Sequence, residues 1–224
     1  MSGAVRTIGV VAPAPSDGET AKRGARWWGS ETALLDDDEA RRRLVAATAR
    51  CIVRRGSARL PIDDIAAEAG VSRSTVYRYF KTRDDLILGV LLSRIDLAME
   101  HLVHSLPHPD DAALAIPDLI LNSVDLIGGD EVNVALYSED SRSLVTALEM
   151  TSEPIVDGIH RYVGPLLEGW QADGQLRSDL DIRETVRWLN TVALLLLAPP
   201  WSGRSRDAMR TFLERYLVRA LVVS

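Results

Sequence analysis

Gly70 separates two apolar patterns, each too short to bury a core by itself. Before it, Ile65, Ala66 and Ala69 recur at helical spacing. They follow Pro61, which suits a first helical position, and Asp63 and Asp64, which favour the positive end of a helix dipole. After it, Ser72 stands as an N-cap to a segment in which Val76 and Phe80 form the buried edge. The other residues of that segment, Arg73, Ser74, Thr75, Tyr77, Arg78 and Tyr79, gather hydroxyls, phenols and guanidinium groups on one short helix. Two such helices joined by a tight turn at Ala69-Gly70-Val71 make a helix-turn-helix.

The flanking patterns are helical too. Leu44, Val45, Thr48, Ile52 and Val53 repeat between Asp36-Asp37-Asp38 and the stop at Gly56, with Arg54 and Arg55 at the negative end. Thr82-Arg83-Asp84-Asp85 has the form of a capping box, and Leu86, Val90, Leu91, Ile95 and Leu102 follow it to a break at Pro107. Further helical segments are expected at about 110–127, 131–150, 153–173, 182–198 and 205–222, with Pro117, Pro154 and Pro165 starting or kinking them. No segment alternates as a strand would. The expected fold is all-α in three parts: a flexible arm over 1–35 that includes Trp27 and Trp28, a helix-turn-helix domain over 36–85, and a larger helical domain over 86–224.

Charge divides along the same lines. Between Glu39 and Asp85 there are 11 Lys/Arg against 6 Asp/Glu, whereas residues 86–224 carry 11 against 20, within a chain of net charge −6. A basic block joined to an acidic one implies two units with different partners. Apolar residues form 46% of the chain, enough for a real core. The longest apolar run, Val192 to Trp201, is too short for a membrane span, and no signal peptide is visible; the single Cys51 permits no disulfide within the chain. These features point to a soluble, cytoplasmic protein.

The basic block explains the face of the second helix. The second helix of such a unit enters the major groove of double-stranded DNA with its N-terminal residues at base edges. Arg73 there is suited to guanine O6 and N7, and Ser74 to several bases. Thr75, Tyr77 and Tyr79 are suited to phosphates, while Lys81 and Arg83 meet the DNA backbone where the next helix begins. Ser72 and Arg78 complete the candidate face. For any one of these residues a plain solvated surface would do; the set, inside a basic block, calls for more.

Residues 39–88 resemble the DNA-binding domain of the TetR family of transcriptional regulators. The resemblance is carried by IAAEAGVSRSTVYRYF, Ile65 to Phe80, and KTRDDL, Lys81 to Leu86. Two positions depart from the family pattern. Leu60-Pro61 stands where a Ser or Thr cap is common, and Arg83 replaces a common Lys. The resemblance implies a homodimeric regulator, expected to be a repressor, whose C-terminal domain encloses a small-molecule effector that releases it from DNA. The rival reading is a helical ligand-carrying or protein-interaction protein whose helix-turn-helix does not bind DNA.

Residues 86–224 hold no motif of similar strength. Their apolar helices imply an apolar pocket and a small hydrophobic or amphipathic ligand. Asn122, Asp125, Arg142, Trp188 and Asn190 are the candidate ligand contacts. The last two helical segments carry more apolar surface than one face needs, which makes Val192, Leu196, Phe212, Leu213, Tyr216 and Leu217 candidates for a two-fold contact. His101, His104 and His108 read as exposed histidines near a helix end, because Pro107 and Pro109 prevent a defined ligand geometry. No metal, cofactor or catalytic residue is expected: there is no nucleophile motif and no Gly-rich phosphate loop.

Overall fold

Leu44, Ala47, Cys51 and Ile52 repeat along one side of Leu34–Arg55 (α1), and all four are buried. The computed structural model describes residues 34–223. The expected arm, with Trp27 and Trp28, lies outside the described residues, apart from Leu34 and Leu35, which already belong to α1.

The two short helices rest on α1. Ile62–Ala69 (α2) begins after Pro61, which supplies no side-chain cap, and buries Ile62, Ile65 and Ala66. It ends at Gly70, whose φ of 67° lets its N–H turn back to the carbonyls of Ala66 and Ala67; a side chain there would be strained. Arg73–Tyr79 (α3) starts under Ser72, whose hydroxyl accepts the Thr75 N–H at 3.1 Å, and Val76 is wholly buried.

Arg83–His104 (α4) begins with a complete capping box. Thr82 Oγ1 accepts the Asp85 N–H at 3.1 Å, and Asp85 Oδ2 accepts the Thr82 N–H at 2.9 Å. Gly89 lets α4 lie close to α1, since a Cβ there would stand 2.9 Å from Val45 Cγ2 and 3.6 Å from the Phe80 ring. Its 22 residues span about 33 Å at helical rise, from the helix-turn-helix into the second unit.

That unit comprises Ala112–Gly128 (α5), Glu131–Leu136 (α6), Glu139–Thr151 (α7), Glu153–Ala172 (α8) and Ile182–Leu197 (α9). After a 3-10 turn at Trp201–Gly203, Arg206–Phe212 (α10) widens into a π-helical stretch, Leu213–Val218, and closes with Arg219–Leu221 (α11). α4 packs along α8, α8 along α9, and α9 and the C-terminal stretch against α5. Among the described residues the chain is helical, with one isolated bridge between Leu176 and Val222 and no strand. Pro117 and Pro165 lie inside α5 and α8 without ending them, and Pro154 sits in the first turn of α8.

The segment expected as one helix over 131–150 is two. The chain breaks at Tyr137-Ser138 because Ser138 takes an extended ψ of 158° and its carbonyl starts the next helix by accepting the Arg142 N–H at 2.8 Å. The break aims the first turn of α7 at the loop between α1 and α2. Ser57 Oγ donates to Asp140 Oδ2, the Ala58 N–H donates to Ser141 Oγ at 2.7 Å, and Arg59 Nε donates to the Asp140 carbonyl at 2.7 Å. α6 also packs on α1. The helix-turn-helix is thus held to the rest of the protein by α4 and, independently, by the α6–α7 corner.

Candidate DNA-binding face and internal cavity

Around α3 the polar residues gather opposite buried Val76. Ser72, Arg73, Ser74, Tyr77 and Arg78 are exposed, Thr75 and Tyr79 are half-buried, and Lys81 is exposed beside half-buried Arg83. The face is tied together locally. Ser72 Oγ lies 2.8 Å from both Ser74 Oγ and Thr75 Oγ1. Arg73 donates to Asp63 Oδ2 at 3.0 Å and to Tyr77 Oη at 3.4 Å, with its guanidinium 5.5 Å from the Tyr77 ring centre. Arg78 donates to Tyr79 Oη at 3.0 Å, and Arg83 leans on Asp84. These are exposed pairs in high dielectric, so they hold rotamers weakly and yield to a stronger anion.

Burial raises the Tyr79 phenol above its ordinary range, so it is a neutral hydrogen-bonding group at any working pH. Its carbonyl receives Arg41 Nη1 at 2.8 Å, and the Arg41 guanidinium lies 5.9 and 5.7 Å from the Tyr79 and Phe80 rings. Arg41, absent from the sequence-based set, fixes the end of α3 from α1.

A cavity of about 120 Å³ lies between α4, α5, α8 and α9, closed at one end by the α6–α7 corner. Most of its wall is Leu, Ile, Val, Ala and Met. Its polar side chains are Arg94, Ser123, Asn133, Tyr137, Glu149 and Asn190. An outer recess of about 540 Å³ adjoins it and shares Arg94 and Asn133 with it.

Among the candidate ligand contacts, Asn190 alone lines this cavity. Asn122 and Asp125 line the outer recess, where Arg206 engages both. Trp188 is 53% exposed on the opposite side of α9, and Arg142, half-buried on α7, does not reach the cavity. The candidate two-fold residues are corrected in part. Val192, Leu196, Leu213 and Leu217 are buried in the chain's own core, because those helices turn their densest apolar stripe inward. Tyr216 is 62% exposed, and half-buried Phe212 stacks between it and Trp201, with ring centres 5.2 and 4.2 Å away. Trp188 and Leu195, one heptad apart on α9, are the further exposed apolar residues there.

The polar end of the cavity has distinct electrostatics. Arg94 pairs with Asp130 Oδ2 at 2.5 Å, and Asp130 Oδ1 caps α6 by accepting the N–H groups of Val132 and Asn133. Tyr137 Oη donates to Glu149 Oε1. Glu149 is 5% exposed, and its Oε2 has no hydrogen-bond partner. Burial raises its carboxyl to about 7, although the Tyr137 bond opposes the shift, and burial likewise pushes the Tyr137 phenol well up.

The family profile described as "Bacterial regulatory proteins, tetR family" matches residues 44–90. The HTH-type transcriptional repressor KstR2 of Rhodococcus jostii is 26% identical over 183 residues, which is 81% of this chain and 82% of that protein. Residues 44–90 thus carry the DNA-binding pattern of the TetR family of transcriptional regulators. A second relative, the fatty acid metabolism regulator protein of Bacillus subtilis, is 25% identical over 62% of this chain and 72% of its own length. In fold, the chain is similar to the TetR-family repressor QsdR of R. erythropolis, with a TM-score of 0.63 at 19% identity, over 84% of this chain and 97% of that one. Together these matches support a transcriptional regulator over a ligand-carrying or protein-interaction protein with an idle helix-turn-helix. No described helix is long and apolar enough to cross a membrane.

Proposed function

We propose that the chain is a cytoplasmic, homodimeric, ligand-responsive repressor that binds a two-fold symmetric operator and leaves it when a small apolar or amphipathic effector fills the cavity. The DNA-binding unit is residues 36–85 and the effector-binding and pairing unit is residues 86–224. Arg73 and Ser74 read bases. Ser72, Thr75, Tyr77, Arg78, Tyr79, Lys81 and Arg83 set the register on phosphates. Pairing uses the outward side of α9 and the C-terminal stretch, with Trp188, Leu195 and Tyr216 as its apolar contacts. No catalytic role is assigned.

One observation carries this reading: the walls of the cavity are the elements that hold the helix-turn-helix. α4 supplies Arg94 and several apolar wall residues and begins beside Lys81. The α6–α7 corner supplies Asn133, Tyr137 and Glu149, and the same corner grips Ser57, Ala58 and Arg59. A ligand that displaces either wall moves the recognition helices off the spacing of about 34–36 Å that a dimer needs to enter successive major grooves.

The reading is tested by passing promoter fragments over the pure protein, then screening small apolar compounds for release of the retained fragment. Retention of a two-fold symmetric site and its release by a cavity-binding compound are expected. Equal retention of random DNA would refute the operator.

A further inference from the structure

The cavity's polar end carries one charge without a counter-charge. Arg94 is matched in charge by Asp130, which also caps α6, although the Arg94 Nε is buried without an acceptor. Glu149 has only the neutral Tyr137 hydroxyl, and its second oxygen is buried without a partner. Among the described residues, the cavity lining brings no cation besides Arg94. α9 contributes neutral Asn190 to the cavity, α5 contributes Ser123, α6 contributes Asn133, and α8 contributes apolar Ile159 and Val163. Arg183 and Arg187 of α9 are engaged elsewhere, by Glu153 and Asp157. Among its described lining residues the cavity therefore holds an excess of negative charge whenever Glu149 is ionised, and no excess of positive charge.

We propose that the effector is an organic cation: an apolar body in the cavity with a protonated amine bonded to Glu149 Oε2. This rests on the reading of the cavity as the effector site. The size fits a single ring, since an engineered apolar cavity of about 150 Å³ holds benzene. A longer body extends into the outer recess past Arg94 and Asn133. An ammonium at Glu149 supplies both the missing counter-charge and the missing donor. A carboxylate or acyl anion meets repulsion from ionised Glu149 and finds the Arg94 charge already balanced by Asp130, with only its Nε donor left unbonded. A neutral alcohol supplies the donor but leaves the charge unmatched. Contact at Glu149 also lies on α7, so occupancy acts directly on the helix that grips Ser57 and Arg59.

The experiment uses three probes of one ring each, benzylamine, benzyl alcohol and phenylacetate, titrated calorimetrically into the full chain at pH 6 and pH 8. Benzylamine is expected to bind best, and about tenfold more tightly at pH 8, because Glu149 must be ionised to receive it. Glu149→Gln is expected to remove this preference. Should that variant fail to fold, the wild type decides: at pH 7 amine binding releases about half a proton, seen by comparing buffers of different ionisation enthalpy. Preference for the alcohol or the carboxylate, equal binding of all three, no proton release, or no binding of any probe at millimolar concentration overturns the cation. Release of operator by the alcohol or carboxylate would do so while sparing the effector site. Amine binding that needs Glu149 yet leaves operator affinity unchanged would sink the effector reading and keep the cation site.

Discussion

The recognition face and the polar end of the cavity both pair arginines with acids, but under opposite conditions. Arg73 and Asp63 are each more than half exposed, so their bond is screened and easily exchanged for a phosphate or a base edge. Glu149 is buried, so its charge is more costly there than in water. The first region keeps its groups ready by holding them weakly. On the proposed reading the second responds because an unmatched buried charge is expensive, and a ligand that changes the balance would change the packing around it. Substitutions in the two regions should therefore differ in kind: those at the face alter DNA binding and spare stability, and those around the cavity alter both.

The largest contrast is between inward and outward residues of the C-terminal helices. Leu196→Asp buries a charge without a partner and is expected to remove on the order of 4 kcal/mol or more of stability. Tyr216→Asp, on the exposed side, should leave the fold intact and weaken pairing in sedimentation. A stable Leu196→Asp monomer would mean that the inward face had been misassigned.

Glu149 gives the next largest effect. Its folded-state carboxyl stands near 7 against about 4.5 when unfolded, so the folded protein retains a proton that the unfolded chain releases. Stability is full below pH 4.5 for this group, falls as pH rises between the two values and levels above 7, by on the order of 3 kcal/mol in all. Glu149→Gln should abolish that part of the pH dependence in denaturant melts. An unchanged slope between pH 5 and 8 would place the carboxylate in water.

Ser141→Ala comes third. It leaves the buried Ala58 N–H without an acceptor, at about 1–3 kcal/mol, and loosens the corner between the two units. Operator affinity should then respond less to a cavity ligand than in the wild type. At the face the effects are smaller and leave melts unchanged. Arg73→Ala should relax discrimination at one operator position by roughly tenfold or more, whereas Arg83→Ala weakens all sequences alike and lowers the salt slope by about 1. Equal losses on operator and random DNA for Arg73→Ala would remove it from base reading.

The two regions were also unequally legible in the sequence. The turn and caps around α3 follow from local chemistry at Gly70, Ser72, Thr82 and Asp85, and each of these takes the conformation that its residue type implies. The cavity depends on long-range packing. Helical spacing marks Leu196 and Leu217 as apolar-face residues but cannot say whether that face meets the chain's own core or a second copy. The break at Tyr137-Ser138 did leave a signal, since Ser138 followed by Glu139 and Asp140 is a helix start inside an otherwise continuous period. Glu149 left another. It falls four residues after Val145 and eight after Ser141, on the buried stripe of α7, where an acid has no reason to be unless something meets it.

The central claim is that one set of walls serves both the cavity and the recognition helices, so occupancy and DNA binding must oppose each other. The direct measurement is a reciprocal titration: a compound selected by thermal stabilisation is titrated into free and operator-bound protein, and operator into free and compound-saturated protein. The account predicts the same loss of affinity in both directions, roughly 5–150-fold, as linkage requires. A compound that fills the cavity and leaves operator affinity untouched would contradict it.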